Sequence, residues 1–172
     1  MLRGLLLLTA FCGAALCTAT PTEPLRICVQ YEAKVPGAGR KALARELKLL
    51  FRGRPIDVQH SGCVRTAEVT LTVRDRRPRL PNDVLGLAVT NEDRVAPSLE
   101  VFLAPVIETT GAGSWDHLGR ALARVAGHEL LHYLLQRMDH DVEGFFRERL
   151  TAEYLLRRQV RPVLITANTG GD

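Results

Sequence analysis

The pentapeptide His128-Glu129-Leu130-Leu131-His132, an HExxH motif, constrains this chain more than any other feature. The surrounding apolar residues recur with helical spacing, and helical residues four positions apart share one face. Two histidines on one face can bind a single zinc ion, with the intervening glutamate beside the metal. Such an ion lowers the pKa of a water ligand, and the carboxylate takes its proton as the water attacks a carbonyl. The motif therefore predicts a long helix that carries a site for peptide-bond hydrolysis. The alternative is that both histidines are surface residues and that Glu129 is an ordinary solvated charge.

A third ligand is needed, because a catalytic zinc site normally has three protein ligands and one open position. His140 lies eight residues after His132, and it can reach the ion only if the helix ends near Met138 and the chain turns back. Glu153 is the rival, since its position on the next predicted helix resembles the gluzincin pattern, in which a glutamate on a second helix binds the metal. We favour His140, with His128 and His132, over Glu153.

The N-terminus has the pattern of a secretory signal peptide. A single positive charge at Arg3 precedes an apolar stretch, Gly4–Leu16, and small residues then lead to Ala19. This pattern predicts a signal peptide over residues 1–19 and a secreted or periplasmic protein. A lipoprotein acylated at Cys17 is disfavoured because the bulky Leu16 precedes that cysteine. An uncleaved anchor is disfavoured because the apolar stretch is short for a membrane span, and no later segment is long enough.

The remaining chain has the size of one compact domain, and we predict a single domain over residues 20–172. Cys28 and Cys63 stay in this domain. Two cysteines in an exported protein most simply form a disulfide, and the alternative is a pair of buried free thiols. Both lie far in sequence from the histidines, so we do not count them as zinc ligands.

The charge of the chain gives little indication of a nucleic-acid partner. The formal net charge is +4, and the densest basic cluster consists of the four arginines between residues 74 and 79. No aromatic residues interleave with this cluster, and no nucleic-acid-binding motif accompanies it. We therefore interpret it as a solvated loop rather than as a phosphate-binding surface, and we expect no nucleic-acid partner.

The hydrophobic pattern predicts an α+β fold. Gly127, directly before the motif, is unfavourable in a helix by roughly 1 kcal/mol relative to Ala, so it is either merely tolerated or marks a close approach of another segment. Strands are predicted at 25–31, 56–60, 67–73, 84–90 and 99–103, and helices at 40–51, 114–138 and 144–158. Mixed strands with one early helix and two late helices are typical of the α+β class.

The segment from residue 118 to residue 150 resembles a family of exported bacterial zincin-like proteins of metzincin type. In that family HExxH is followed by Leu-Leu-Gly, by a histidine eight residues beyond the second one, and by Gly-Ile-Met. The counterparts in this chain are His128, Glu129, His132, Leu134, Leu135, His140 and residues 144–146. The segments 85–89 and 99–103 also resemble the two strands that precede the family's active helix. The resemblance implies a metzincin-like mixed sheet of four to five strands packed on helices, an HExxH active-site helix, and His140 as third ligand.

Two positions depart from the family pattern. Gln136 replaces the glycine that lets the active helix turn, and Phe146 replaces the methionine of the closing turn. Phe146 is expected either to form an apolar floor under the ion or to mark an inactive copy.

The preferred interpretation is a secreted zinc-dependent endopeptidase. His128, His132 and His140 hold one zinc ion, Glu129 is the general base, and a peptide or protein substrate lies along a sheet edge, which we place at residues 99–103. The alternative is a non-catalytic zincin-fold protein that binds zinc structurally or binds a partner protein.

Overall fold

The computed structural model describes residues 23–60, 62–63, 65–77, 79–142, 144–158 and 162–163. The predicted signal peptide, residues 1–19, lies outside the described residues. Within them the elements follow the order β1 (Leu25–Tyr31), α1 (Gly37–Leu50), β2 (Ile56–His60), β3 (Val69–Arg74), β4 (Gly86–Asn91), β5 (Arg94–Phe102), α2 (Leu103–Thr110), α3 (Trp115–Leu135) and α4 (Ala152–Leu156).

The five strands form one mixed sheet in the order β2-β1-β3-β5-β4. β1 pairs in parallel with β2 and β3, and β3 pairs in parallel with β5. β4 runs antiparallel to β5 and forms one edge of the sheet. The α+β class with a five-stranded mixed sheet is thus confirmed. The placement of the substrate edge at residues 99–103 is wrong, because β5 is paired on both sides and the edge strands are β2 and β4.

The core lies between the sheet and the helices α1 and α3, which pack against each other. Leu118, Leu122 and Val125 supply the predicted apolar stripe of α3 and are at most 3% exposed. The helix begins after Ser114, whose hydroxyl accepts a hydrogen bond of 3.3 Å from the backbone N–H of His117. Capping of this kind satisfies one of the free N–H groups in the first helical turn. The core therefore fixes the long helix that carries the HExxH motif against the sheet.

One helix of the structure was not predicted, one predicted helix is much shorter, and β5 begins at Arg94 rather than at residue 99. The chain turns from β5 directly into α2, a helix that the sequence interpretation missed, with Pro105 in its first turn. Proline is compatible with that turn because its missing N–H has no helical partner there. The predicted helix over 144–158 is reduced to α4, because residues 144–151 form an irregular segment beside the HExxH helix.

Two arginines of the cluster, Arg74 at the end of β3 and Arg77 beyond it, form ion pairs with nearby carboxylates. Arg74 contacts both Glu32 and Glu100, the latter at 3.2 Å, and Arg77 contacts Glu100 at 3.3 Å. The side chain of Glu100 is only 11% exposed. Arg74 and Arg77 thus pair with carboxylates of neighbouring segments, while Arg76, Arg77 and Arg79 are exposed, as expected for a solvated loop.

Cys28 and Cys63 form a disulfide with their Cα atoms 5.4 Å apart. The bond ties β1, an interior strand of the sheet, to the connection between β2 and β3. The predicted pairing is therefore confirmed, and a disulfide of this kind fits an extracellular protein. None of the described helices is both long and apolar enough to cross a membrane.

Candidate metal centre

His128 and His132 lie one turn apart on α3, and both face into the protein. They are 4% and 2% exposed, so the interpretation of two surface histidines is wrong. Their ring centroids are 4.9 Å apart. The helix thus presents two imidazoles side by side from a buried face.

The third imidazole comes from His140. α3 ends at Leu135 and the chain reverses, which brings Nε2 of His140 to 3.2 Å from Nε2 of His128. The donor atoms of His128, His132 and His140 all lie within 4.8 Å of one another. Two nitrogens that bind one zinc ion tetrahedrally, each at about 2.0–2.1 Å, lie about 3.3 Å apart. The observed separation fits a shared metal ion.

Backbone carbonyls orient two of the three rings. The Nδ1–H of His132 donates to the carbonyl of Arg137 at 2.8 Å, and the Nδ1–H of His128 donates to that of Phe145 at 3.3 Å. Because a carbonyl can only accept, the proton stays on Nδ1 and the lone pair stays on Nε2. Hydrogen bonds of this kind commonly fix the tautomer of a metal-binding histidine.

Burial also keeps both rings neutral, as metal binding requires. Burial lowers the pKa of His128 to about 4, against a weaker opposing effect of its hydrogen bond to the Phe145 carbonyl. The pKa of His132 is likewise lowered, mainly by burial. Both imidazoles therefore have free lone pairs at neutral pH.

Phe146 forms a floor under the three imidazoles. Its ring centroid lies 5.3 Å from that of His128, 4.6 Å from His132 and 5.6 Å from His140, and the residue is 4% exposed. Of the two roles expected for Phe146, this geometry agrees with the apolar floor.

Gly127 lets the segment before Phe146 approach the helix. A Cβ on Gly127 would lie 2.9 Å from the ring of Phe145, and real Cβ atoms essentially never come so close. The glycine before the motif therefore marks a close approach beside the metal site, which was one of its two expected roles.

Glu129 lies between His128 and His132 in the sequence of α3, and its side chain is buried beside them. It is 7% exposed, and the backbone of Ala88 in β4 lies next to its carboxyl. Burial raises the pKa of Glu129 to about 8, against a weaker opposing effect of the Ala88 backbone. A cation next to this carboxyl would favour the ionised form.

Gly86 of β4 leaves room for this carboxyl. A Cβ on Gly86 would lie 2.7 Å from Oε1 of Glu129 and 2.7 Å from Val125. The sequence interpretation missed Gly86, although a glycine inside a predicted strand is itself a signal of close backbone approach.

Glu153 does not join the cluster. It lies on α4 with its side chain 77% exposed, and it accepts a hydrogen bond of 2.6 Å from Arg157. Among the described residues, the groups that could hold a metal ion are His128, His132 and His140. The preference for His140 over Glu153 agrees with this geometry.

A cavity of about 640 Å³ opens beside the three imidazoles. The edge strand β4 forms one wall through residues 86–88, α3 forms another, and residues 148–151 face them. The cavity is wide enough for more than one side chain of a bound molecule, since ligand pockets are commonly about 300–1,000 Å³.

Comparisons of the chain with protein-family models, curated proteins and solved structures gave no match. The chemistry of the site is therefore interpreted from its own geometry.

Proposed function

We propose that this chain is a secreted, zincin-like zinc metallopeptidase. His128, His132 and His140 hold one zinc ion, and Glu129 is the general base. The observation that carries the proposal is the convergence of three imidazoles in a cavity that also contains a buried glutamate. A purely structural zinc site usually has four protein ligands, whereas three ligands leave one position open.

The proposed chemistry divides between the ion and the chain. Bound zinc supplies Lewis acidity and lowers the pKa of a water ligand towards neutrality. Glu129 takes the proton from the attacking water and delivers it to the leaving amine. The close packing against Gly86 holds the Glu129 carboxyl in place for this transfer.

The proposed substrate is a peptide or protein in an extended conformation. β4 is an edge strand, and its residues 86–88 line the cavity. An extended peptide can add to such an edge through main-chain hydrogen bonds, with its side chains entering the cavity. We expect a peptide bond of a substrate bound in this way to lie near His128, His132 and His140 without a rearrangement of the sheet.

The first experiment compares Glu129→Gln with the wild type. Purified proteins are analysed for zinc and are incubated with a mixed peptide library, with products detected by mass spectrometry. Glu129→Gln should retain about one equivalent of zinc and lose cleavage by at least about 100-fold, as expected for a general base. Glu68→Gln is the matched control, because Glu68 has a half-exposed side chain and does not line the cavity, so this variant should cleave normally. Undiminished cleavage by Glu129→Gln would refute the assigned role.

A second pair of variants tests the ligand set. His140→Ala should lose most of the bound zinc, and Glu153→Ala should retain it. A wild type that binds zinc and cleaves no peptide in the library would favour the non-catalytic zincin-fold alternative.

A further inference from the structure

At Gln136, directly after α3, the backbone adopts a conformation that residues other than glycine rarely adopt. Its φ of 50° and ψ of 43° place it in the left-handed region, directly after Leu135. Glycine is favoured there because other residues carry a Cβ that crowds the backbone. The chain reverses at this residue, and His140 follows four positions later.

The side chain of Gln136 bonds to both main-chain groups of Val95 in β5. Its Oε1 accepts from the N–H of Val95 at 3.2 Å, and its Nε2 donates to the carbonyl of Val95 at 3.1 Å. Nε2 also donates to the carbonyl of Tyr133 at 2.7 Å, in the last turn of α3. β3 pairs with β5 only from Ser98 onwards, so the amide of Gln136 takes the place of a neighbouring strand beside Val95.

The contacts of Gln136 fix the start of the segment that contacts His132 and then continues to His140. Arg137, the next residue, presents the carbonyl that accepts from Nδ1 of His132. His140 lies three residues further on and has Nε2 at 3.2 Å from that of His128. A change in direction at Gln136 would therefore move His140 most, because His132 is also held by the helix.

We propose that Gln136 is a positioning residue for the metal ligand His140. Its side chain locks the helix end to β5 and so fixes the direction in which the chain returns to the metal centre. The inference rests on the metal site of the proposed function. It also gives the departure from glycine a physical role, since three hydrogen bonds offset the strain of the left-handed conformation.

The test is a double-mutant cycle on zinc affinity, with zinc bound in competition with a chromophoric chelator. Gln136→Ala should weaken zinc binding by about 10- to 100-fold, as is typical when a group that orients a ligand is lost. In the His140→Ala background the same substitution should change affinity by less than about 3-fold, because its route of action has already been removed. An equal loss in both backgrounds would indicate a merely structural role and would overturn the proposal.

Two further variants separate backbone strain from the side-chain contacts. Gln136→Gly relieves the strain but removes the hydrogen bonds, so it should also weaken zinc binding. Wild-type affinity in Gln136→Gly would overturn the proposal. Gln59→Ala is the matched control, because the Gln59 side chain donates a hydrogen bond to Asp57 on β2, at the opposite edge of the sheet. The zinc affinity of this variant should equal that of the wild type.

The cobalt(II) form gives a second readout. Gln136→Ala should alter the visible absorption bands of bound cobalt, which respond to ligand geometry, while urea unfolding of the metal-free variant shows whether it folds. Unaltered bands with unaltered affinity would overturn the proposal. A wild type that binds no zinc would overturn both proposals, whereas zinc binding without cleavage would overturn only the peptidase proposal.

Discussion

At the scale of single residues, the burial of Glu129 makes the stability of the chain depend on pH. Its pKa is about 8 in the folded chain and near 4.5 when unperturbed. Between these values the unfolded chain releases a proton that the folded chain retains. The contribution of Glu129 to stability is therefore lost as pH rises from 4.5 towards 8, by up to about 1.4 kcal/mol for each pH unit.

Glu129→Gln should remove this pH dependence. In EDTA, the free energy of unfolding of the variant minus that of the wild type should rise by about 1–4 kcal/mol between pH 5 and pH 8. The contributions of His128 and His132 are common to both proteins and cancel in this difference. Urea titrations at both pH values provide the measurement. A difference that is the same at pH 5 and pH 8 would show that the Glu129 carboxyl is not desolvated.

Gly86 is a second residue whose size is dictated by Glu129. Gly86→Ala would place a Cβ 2.7 Å from both Oε1 of Glu129 and Val125, so one of these groups must move. We expect a loss of about 1–3 kcal/mol in stability, as for other overpacked sites, and a loss of cleavage that exceeds any loss of zinc.

Gly113→Ala is the control for this substitution. A Cβ on Gly113 would meet nothing within 4 Å. Gly113→Ala should therefore leave the free energy of unfolding unchanged or raise it slightly. Thermal unfolding, zinc content and cleavage of one peptide are measured for both variants. Equal behaviour of the two would mean that the space beside Glu129 is not restricted.

At the scale of elements, Arg124 joins the HExxH helix to two other helices. It is fully buried on α3, and its Nη2 contacts Glu46 of α1 at 2.8 Å. Its guanidinium also donates to the carbonyls of Tyr154 and Leu155, at 2.7 Å and 2.9 Å. These carbonyls belong to the last turn of α4, where no helical N–H is available to them.

Arg124→Met should destabilise the protein by about 3–5 kcal/mol, because it leaves Glu46 buried without its partner. Arg45→Met is the matched control. Arg45 also joins α1 to α3, through Asp116 at 2.6 Å, but both side chains are 55% exposed. Exposed pairs contribute about 0–1 kcal/mol. Chemical denaturation of both variants gives the comparison, and similar losses would contradict a special role for the buried pair.

Elements whose apolar residues alternate, or recur with helical spacing, could be predicted from the sequence. β1 and β2 begin and end where expected, and the core of α3 follows its apolar stripe. The irregular segment at 144–151 could not be predicted in the same way. Phe146 and Leu150 lie four positions apart, which is a helical spacing. In the structure, however, Phe146 packs against the imidazoles and Phe145 against Gly127. Local periodicity does not show which distant residues an aromatic side chain will meet.

At the scale of the whole molecule, the metal centre is assembled from both local and distant parts of the chain. His128, Glu129 and His132 are fixed by one helix, so the motif alone predicts their common face. The contact of Glu129 with Gly86 depends on the position of β4 at the sheet edge, which strand patterns do not determine. The choice between His140 and Glu153 likewise depended on the path of the chain after α3.

The disulfide stabilises this arrangement without touching the metal centre. Cys28 lies on β1, which is separated from the edge strand β4 by β3 and β5, and its bond to Cys63 closes a loop with a sequence separation of 35. Closing a loop of this size lowers the entropy of the unfolded chain, which stabilises the folded state by about 3–4 kcal/mol. The double variant Cys28→Ala/Cys63→Ala should therefore lose about that much stability in urea and bind zinc with unchanged affinity. A large loss of zinc affinity in a variant that remains folded would contradict this expectation. It would show that the disulfide on β1 influences the positions of the imidazoles through the sheet.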